Sequence, residues 1–369
     1  MKSVFKSSAR VVIVGGGFAG ASTAWWLRKF GETDSLILER EVGPGMQASG
    51  QNAAMARQAT QDLFITRLLA EGVRFLATPP PEFRAPRPVL RRLGSALLGS
   101  DAQVGKLADV LRRAIPSDEF EIGPAANLAT HPYLSGIPAP MALYTRSDGM
   151  VDLDALLSGF LRNTDVATSC AFLSAARDPD GWTVQTSRGD IRCYTLVIAA
   201  GAWGNLCGSG AGAGLRLLRP TTRHLFQSVR GKDFCRDAPF VWDTAAEVYV
   251  RPDGGGSLYM SACDQDDCDP SAPILPSNRI QEILRGKLAR AFPALAAIRY
   301  HRYWVGTRTL SPDNRFVIGP DPRTAGLFWA AGLGGHGVTA SPAIGRIAAQ
   351  SILGLQDPPP ELSPARFEK

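Results

Sequence analysis

Val11-Val12-Ile13-Val14-Gly15-Gly16-Gly17-Phe18-Ala19-Gly20 decides the fold. Four apolar residues make a short buried strand, and a helical stretch runs from the last glycines to about Phe30. Gly15, Gly17 and Gly20 keep the G-x-G-x-x-G spacing in the setting that gives it meaning, after a strand and opening a helix. Gly15 permits a tight turn, Gly17 lets the backbone approach a pyrophosphate, and Gly20 lets the helix pack on the strand. The helix N-terminus then offers free N–H groups and a positive dipole end to phosphates. Ser35-Leu36-Ile37-Leu38 reads as the second strand, with Glu39 at its end, about 20 residues past the last glycine, where an acid accepts ribose hydroxyls. An acid here, even with Arg40 following, argues against a ribose 2′-phosphate. The fingerprint alone leaves FAD and NAD open.

The chain has 369 residues, which suits two domains or one large domain with an insertion. Its net charge of +6 is spread among interspersed acids and bases, so nucleic acid is not an expected partner. The six cysteines are scattered apart from Cys263 and Cys268, which lie in an acidic loop with Asp264, Asp266, Asp267 and Asp269. Their spacing matches no zinc pattern, so no metal is expected. Lys2, Lys6 and Arg10 lead into the first strand without a cleavable apolar region, and no apolar run reaches the ~20 residues of a membrane span. The expectation is a cytoplasmic enzyme with at most a loose membrane association.

Beyond Glu39, Gly43-Pro44-Gly45 turns the chain into Ala48–Ala54, small and polar, as backbone threading past a cofactor would be. A helix through Leu68 and Phe75 is stopped by Pro79-Pro80-Pro81. Arg84, Arg87, Arg91 and Arg92 make the next stretch basic, either a solvated loop or a surface for an acidic partner or lipid. A short helix is expected near Val104 to Ala114, and strands near Ala126 to Ala129 and Ala142 to Tyr144. Asp148-Gly149-Met150-Val151-Asp152 leads into a helix capped by Asp152 or Asp154. Three short strands between Phe172 and Tyr194 form a meander, and Thr195 to Gly201 is a buried strand ending in small residues. Tyr249 lies on a strand closed by Pro252-Asp253-Gly254. A helix covers Asn278 to Phe292, and Tyr303 to Thr309 is a strand. Phe328 to Ala331 enters a second glycine turn, Gly332 to Gly337, before a last helix from roughly Ser341 to Leu353. The Pro-rich tail from Pro358 is expected to be loose.

Four stretches together carry a family resemblance. They are the N-terminal fingerprint with Glu39, Asp148–Asp152 with its helix, Val197-Ile198-Ala199-Ala200-Gly201-Ala202-Trp203, and Gly332–Gly337 before the last helix. The chain resembles the D-amino-acid oxidase superfamily of FAD enzymes, and within it most nearly the D-arginine and D-amino-acid dehydrogenases. The resemblance implies an α/β fold: a Rossmann-like, glutathione-reductase-type FAD-binding domain with a discontinuous α+β substrate domain carrying an antiparallel sheet. The FAD domain would comprise 1–80, 145–220 and 325–369, and the substrate domain 81–144 and 221–324.

The same resemblance implies the site. Gly15, Gly17, Phe18, Ala19, Gly20, Glu39 and Arg40 would hold one part of the FAD, and Ser49, Gly50 and Gln51 would pass beside it. Ala171, Phe172, Ala200, Gly201 and Trp203 would complete the groove, although Trp203 and Trp304 read first as core residues. Gly332, Gly334, Gly335, His336, Gly337, Val338 and Thr339 would face the flavin pyrimidine end, where the helix dipole suits the negative charge of a reduced flavin. Arg223, after Pro220, and Arg308, in Trp304-Val305-Gly306-Thr307-Arg308, match the family's carboxylate-binding arginines, whose planar fork pairs a carboxylate twice. Tyr249 matches a tyrosine lining the same site. His336 reads either as a packed histidine or as a contact to flavin or substrate.

Departures narrow the substrate. Val89 follows Arg87-Pro88 where D-arginine dehydrogenase has an acid for the guanidinium, and Met55 and Thr60 replace its histidine and tyrosine. Gly306 stands at the position of the flavin-linking cysteine of sarcosine oxidase, so the FAD is expected to be non-covalent. The implied activity is that of an FAD-dependent oxidoreductase acting on CH–NH2 or CH–NH groups. It would oxidise a D-amino acid other than arginine by hydride transfer to flavin N5, giving an imine, then a 2-oxo acid and ammonia. The electron acceptor would be a quinone, another carrier or oxygen. Two alternatives stand beside it: oxidation of an N-methyl or cyclic amine or a 2-hydroxy acid on the same scaffold, and an FAD-bearing subunit of a multi-component dehydrogenase.

Overall fold

The computed structural model describes residues 5–368; Lys2, used above for the N-terminal charge, lies outside them. The first strand, Val11–Val14, is central in a six-stranded sheet. Ser35–Leu38 and Asp165–Ala167 follow on one side, and Thr195–Ile198, Leu327–Ala331 and Val317–Pro320 on the other. All neighbours are parallel except the last pair, where Val317–Pro320 runs antiparallel at the edge. The central strands are apolar throughout because helices and a meander cover both faces. On one face the helix Phe18–Lys29 packs against Gly337–Ile352, which packs in turn against Leu63–Ala77. On the other, the meander Phe172–Asp178, Gly181–Thr186 and Gly189–Cys193 buries Trp182 and Val184 among the sheet residues.

A second sheet has eight strands in the order Tyr300–Leu310, Arg219–Ser228, Leu258–Ser261, Val248–Pro252, Phe240–Asp243, Ser95–Gly99, Met141–Thr145 and Phe120–Pro124. It joins two separate chain segments, and the seam between them, Phe240–Asp243 beside Ser95–Gly99, is its one parallel pairing. The helix Asn278–Ala291 buries Ile280, Leu284 and Leu288 against one face. Between the two large sheets, Met55–Ala56 and Leu90–Arg92 flank Gly149–Val151 in a small antiparallel sheet.

Three expectations change. Ala126 to Ala129 is not a strand; Ala125–Thr130 forms 3-10 turns between Pro124 and Pro132. The last helix starts at Gly337, four residues before Ser341, with Pro342 inside it. Pro342 has no N–H for the Val338 carbonyl, and the Ser341 hydroxyl donates to that oxygen instead, at 3.0 Å. The tail from Pro358 is not loose. Leu362 is fully buried, its carbonyl accepts from Ile318 N–H, and Arg366 pairs with Asp313, so the tail closes the edge left by Val317–Pro320.

Candidate active site

A cavity of about 400 Å³ runs between the two large sheets. One end is the first glycine turn. Gly15 has φ +111°, and a Cβ there would lie 2.5 Å from the Ala199 carbonyl oxygen. Gly17 caps the helix without a side chain, and no acid occupies the first turn. Gly20 lies off the cavity and performs the packing role expected of it: a Cβ would fall 2.1 Å from the Gly15 oxygen. Glu39 closes its strand with a carboxylate that accepts from the Gly16 and Glu41 amides, both at 2.9 Å. Burial pushes its pKa up, and those two bonds oppose the shift.

Most of the residues expected around a dinucleotide line this one space. They include Phe18, Ala19, Arg40, Ser49, Gln51, Ala171, Phe172, Ala200, Gly201 and Trp203. The Arg40 guanidinium lies over the Trp203 ring at 4.2 Å, and Ser49 Oγ accepts from Phe18 N–H. At the other end Gly332, Gly334, Gly335, Gly337 and Val338 turn beneath the cavity. Gly50, His336 and Thr339 do not line it. Gly50 packs on the Gly45 carbonyl, and Thr339 Oγ1 accepts from Arg57 N–H.

Arg223, Tyr249 and Arg308 line the inner wall. Strand register explains their convergence. Arg223 pairs with Gly306 and Thr221 with Arg308 on adjacent antiparallel strands, so both arginines are diagonal neighbours on one face. Tyr249 comes from the next strand but one and is fully buried. Arg223 is also buried, and its Nε and Nη1 have no hydrogen-bond partner. Arg308 rests on the glycine turn; a Cβ on Gly335 would lie 2.8 Å from its Nη1. Burial, then the charge of Arg223, pushes the Arg308 pKa down to about 10, which leaves it a cation at neutral pH. Burial raises the Tyr249 pKa while the two arginines oppose, so its hydroxyl stays a donor.

Two neighbours escaped sequence reasoning. The Arg57 guanidinium stacks over Trp242 at 4.4 Å, and Trp242 leans on Tyr249 with ring centroids 5.2 Å apart. Arg57 Nη2 lies 3.0 Å from His336 Nε2. Burial, followed by the charges of Arg57 and Arg308, pushes His336 down to about 3, so it is neutral. Arginine can only donate, so His336 Nε2 accepts and its proton sits on Nδ1. Nothing in the run Met55-Ala56-Arg57 marks this role; only the pairing of Met55–Ala56 with Gly149–Val151 carries Arg57 there.

The remaining expectations fall elsewhere. Val89 is buried in the core, and Thr60 bonds Thr66 and the Asp62 carbonyl. Met55 lines the cavity, and Trp304 donates to the Gln51 carbonyl at 3.3 Å. In the basic stretch Arg87 pairs with Asp152 and Asp154, and Arg91 with Asp237. In the acidic loop Asp264 bonds His224, while Asp266 and Asp267 pair with Arg279 and Arg219. Among the described residues no group of three potential ligands could hold a metal ion. No helix among them is long and apolar enough to cross a membrane.

Comparison with known proteins decides the family. The DAO family, described as FAD dependent oxidoreductase, matches residues 10–351. The chain belongs to that family. It is an FAD-dependent oxidoreductase. Relatives include FAD-dependent oxidoreductase domain-containing protein 1 of Mus musculus, 24% identical over 98% of this chain and 84% of that protein. The 4-methylaminobutanoate oxidase (formaldehyde-forming) of Paenarthrobacter nicotinovorans is 25% identical over 93% of this chain but only 43% of its own length. The beta subunit of sarcosine oxidase from Rhizobium meliloti is 28% identical over 91% of this chain and 82% of that protein. In fold, the L-proline dehydrogenase of P. horikoshii is similar with a TM-score of 0.86, 19% identity and 98% coverage of both chains.

The residues present fit FAD. The glycine turn bare of side chains, the Glu39 carboxylate and the second glycine turn all line one continuous cavity. The helix Gly337–Ile352 opens there with no side-chain cap and no acid in its first turn. Gly15 to Ala19 with Glu39 would hold the nucleotide, and Gly332 to Val338 the flavin.

Proposed function

We propose that this FAD-dependent oxidoreductase oxidises the carbon–nitrogen bond of a small amino acid whose carboxylate is clamped by Arg223 and Arg308. The observation that carries this is the buried Arg223 side chain, with Nε and Nη1 unpartnered beside Arg308 and Tyr249 on one cavity wall. Unpaired buried donors on a cation are costly, and a carboxylate is the ligand that satisfies two guanidinium forks together. Tyr249 adds a third donor.

FAD, when bound, supplies the two-electron oxidation. The protein's share is to bind and orient: the clamp holds the carboxylate and thereby sets where the α-carbon and amine lie. Arg223 and Arg308 also favour the neutral form of an amine held beside them, because a second positive charge there is repelled and poorly solvated. An amino acid loses two electrons and two protons in becoming the imine, and water then gives the 2-oxo acid and ammonia. On this reading the substrate is a D-amino acid, as the family resemblance implies, other than arginine: the positive charge of Arg57 acts on Arg308 and disfavours a further guanidinium nearby.

A second reading, an N-methylated amino acid, is supported by the names of two relatives, an oxidase of 4-methylaminobutanoate and a sarcosine oxidase subunit. Anaerobic mixing of the FAD-loaded protein with D- and L-amino acids, N-methyl amino acids and 2-hydroxy acids tests both. Bleaching of the flavin band by D-amino acids with ammonia release, lost in Arg308→Met, supports the first. Bleaching by N-methyl substrates with methylamine or formaldehyde release supports the second. A band untouched by every carboxylate overturns the clamp and favours a carrier subunit.

A further inference from the structure

A second groove, of about 380 Å³, lies between the helix Asn278–Ala291 and the start of the strand Tyr300–Leu310. Gln281, Arg285, Arg299 and Tyr300 supply its polar lining, the run from Ala296 to Ile298 supplies the rest, and no acid contributes. Eight residues of strand separate Tyr300 from Arg308, so at ~3.3 Å per residue the groove is roughly 26 Å from the clamp. It is a separate place on the molecule, independent of the carboxylate clamp.

Local structure brings the two cations together. Gln281 and Arg285 are four positions apart and neighbours on the helix surface, while Ile280, Leu284 and Leu288 take the buried face. Beyond the helix the chain doubles back. Ile298 N–H donates to the Leu295 carbonyl, and the Arg299 carbonyl accepts from Val229 N–H at the sheet edge. The Arg285 guanidinium lies 5.7 Å from the Tyr300 ring centroid. Other cations of this helix have acid partners, Arg279 with Asp266 and Lys287 with Glu247. Among the described residues neither Arg285 nor Arg299 forms an ion pair. The Tyr300 hydroxyl is buried without a hydrogen-bond partner. Burial raises its pKa against the opposing charge of Arg285, so it keeps its proton. Every polar side chain of the groove can therefore donate, and none carries a negative charge.

We propose that this groove binds a phosphate monoester. Two guanidinium forks and the Gln281 amide offer about six N–H donors. A carboxylate brings one charge and about four lone-pair sites, whereas a phosphate monoester brings nearly two charges and three strong acceptor oxygens. The monoester thus matches both cations and the number of donors, with the planar forks binding its oxygens in pairs. The apolar run from Ala296 to Ile298 gives the organic part of the ester a surface to lie on. The same group occurs on soluble metabolites and on the headgroup of phosphatidic acid, and the experiment separates the two.

The test is calorimetric titration of the FAD-loaded protein, because bound FAD fills the phosphate-binding turn of the main cavity. The probes are inorganic phosphate, glycerol 3-phosphate and AMP, with glycerol and adenosine as uncharged controls. The phosphates should bind once per chain, the controls should not, and added salt should weaken binding. Arg285 and Arg299 are exposed, so replacing them should leave flavin content, thermal midpoint and turnover unchanged. Arg285→Met or Arg299→Met should weaken phosphate binding by roughly 10-fold or more, the worth of a charge-assisted hydrogen bond, and the double variant should abolish it. Arg308→Met should leave it unaltered. Flotation with phosphatidylcholine vesicles, with and without phosphatidic acid, identifies the source. Saturation by the soluble esters marks a metabolite site; capture by phosphatidic acid alone, lost in the double variant, marks a lipid headgroup site. Binding that survives the double variant but is lost in Arg308→Met would put the phosphate in the clamp and overturn the proposal. So would the absence of binding by every soluble phosphate and by the vesicles.

Discussion

Gly335→Ala is the sharpest test of where the carboxylate sits. Gly335 does not have a positive φ, so its backbone accepts alanine without strain. The added Cβ would lie 2.8 Å from Arg308 Nη1, 2.9 Å from Cζ and 3.2 Å from Nη2, whereas ordinary contact begins at 3.4 Å. The guanidinium must therefore retreat by about 0.6 Å, and being the end of a flexible side chain it can do so without unfolding the turn. A hydrogen bond to a charged group is worth ~1.5–3 kcal/mol. Stretching the pair by that distance should cost about 1–2 kcal/mol, or roughly a 5- to 30-fold rise in KM with a smaller change in kcat. Arg308→Met, which leaves the carboxylate facing a gap, should cost roughly 100-fold or more. The assay is steady-state kinetics with the best substrate of the panel, alongside flavin content and thermal midpoint for each variant. An alanine variant with normal flavin and unchanged KM would refute the placement of the carboxylate at Arg308.

The other expectations are quicker to state. Gly20→Ala puts a Cβ 2.1 Å from the Gly15 oxygen and should destabilise the protein by ~1–3 kcal/mol and weaken FAD binding, read by denaturant titration with and without FAD. His336 is held below its unfolded value by burial, so the unfolded chain binds the extra proton: stability should be fully present above about pH 6.5 and fall as pH drops below it. His336→Gln should therefore lose less of its thermal midpoint than the unaltered protein between pH 7 and pH 5. Removing the tail from Pro358 exposes Leu362 and frees Asp313 from Arg366, and should lower the thermal midpoint by several degrees. Acid precipitation should release the flavin into the supernatant, as non-covalent binding requires.

The dinucleotide half was legible because its chemistry is local. A turn, a helix start and a terminal acid within thirty residues determine one another, and Gly15, Gly20 and Glu39 stand where the spacing puts them. Sheet order was less legible. Val317–Pro320 reads as part of the 221–324 segment, yet its hydrogen bonds go to Leu327–Ala331 through a short turn. The buried tail was missed for a related reason: Pro358-Pro359-Pro360 looks loose in isolation, and only the open edge of that strand gives Leu362 a place to bury.

The cavity wall that carries Arg223 and Arg308 illustrates the limit more directly. Arg223 and Arg308 are 85 positions apart in the chain and meet only through antiparallel register, which no local pattern encodes. Family resemblance singled them out, and the register supplies the physical cause. Arg57 had neither aid. It follows a two-residue strand, its partner His336 lies 279 residues away, and its stacking surface Trp242 belongs to a different sheet. A cation without an acid partner is nonetheless what a sequence cannot display, because partnership is a property of the folded chain. Arg57, half-buried between a neutral histidine and an aromatic face, acquires those neighbours only when three distant segments of the chain meet.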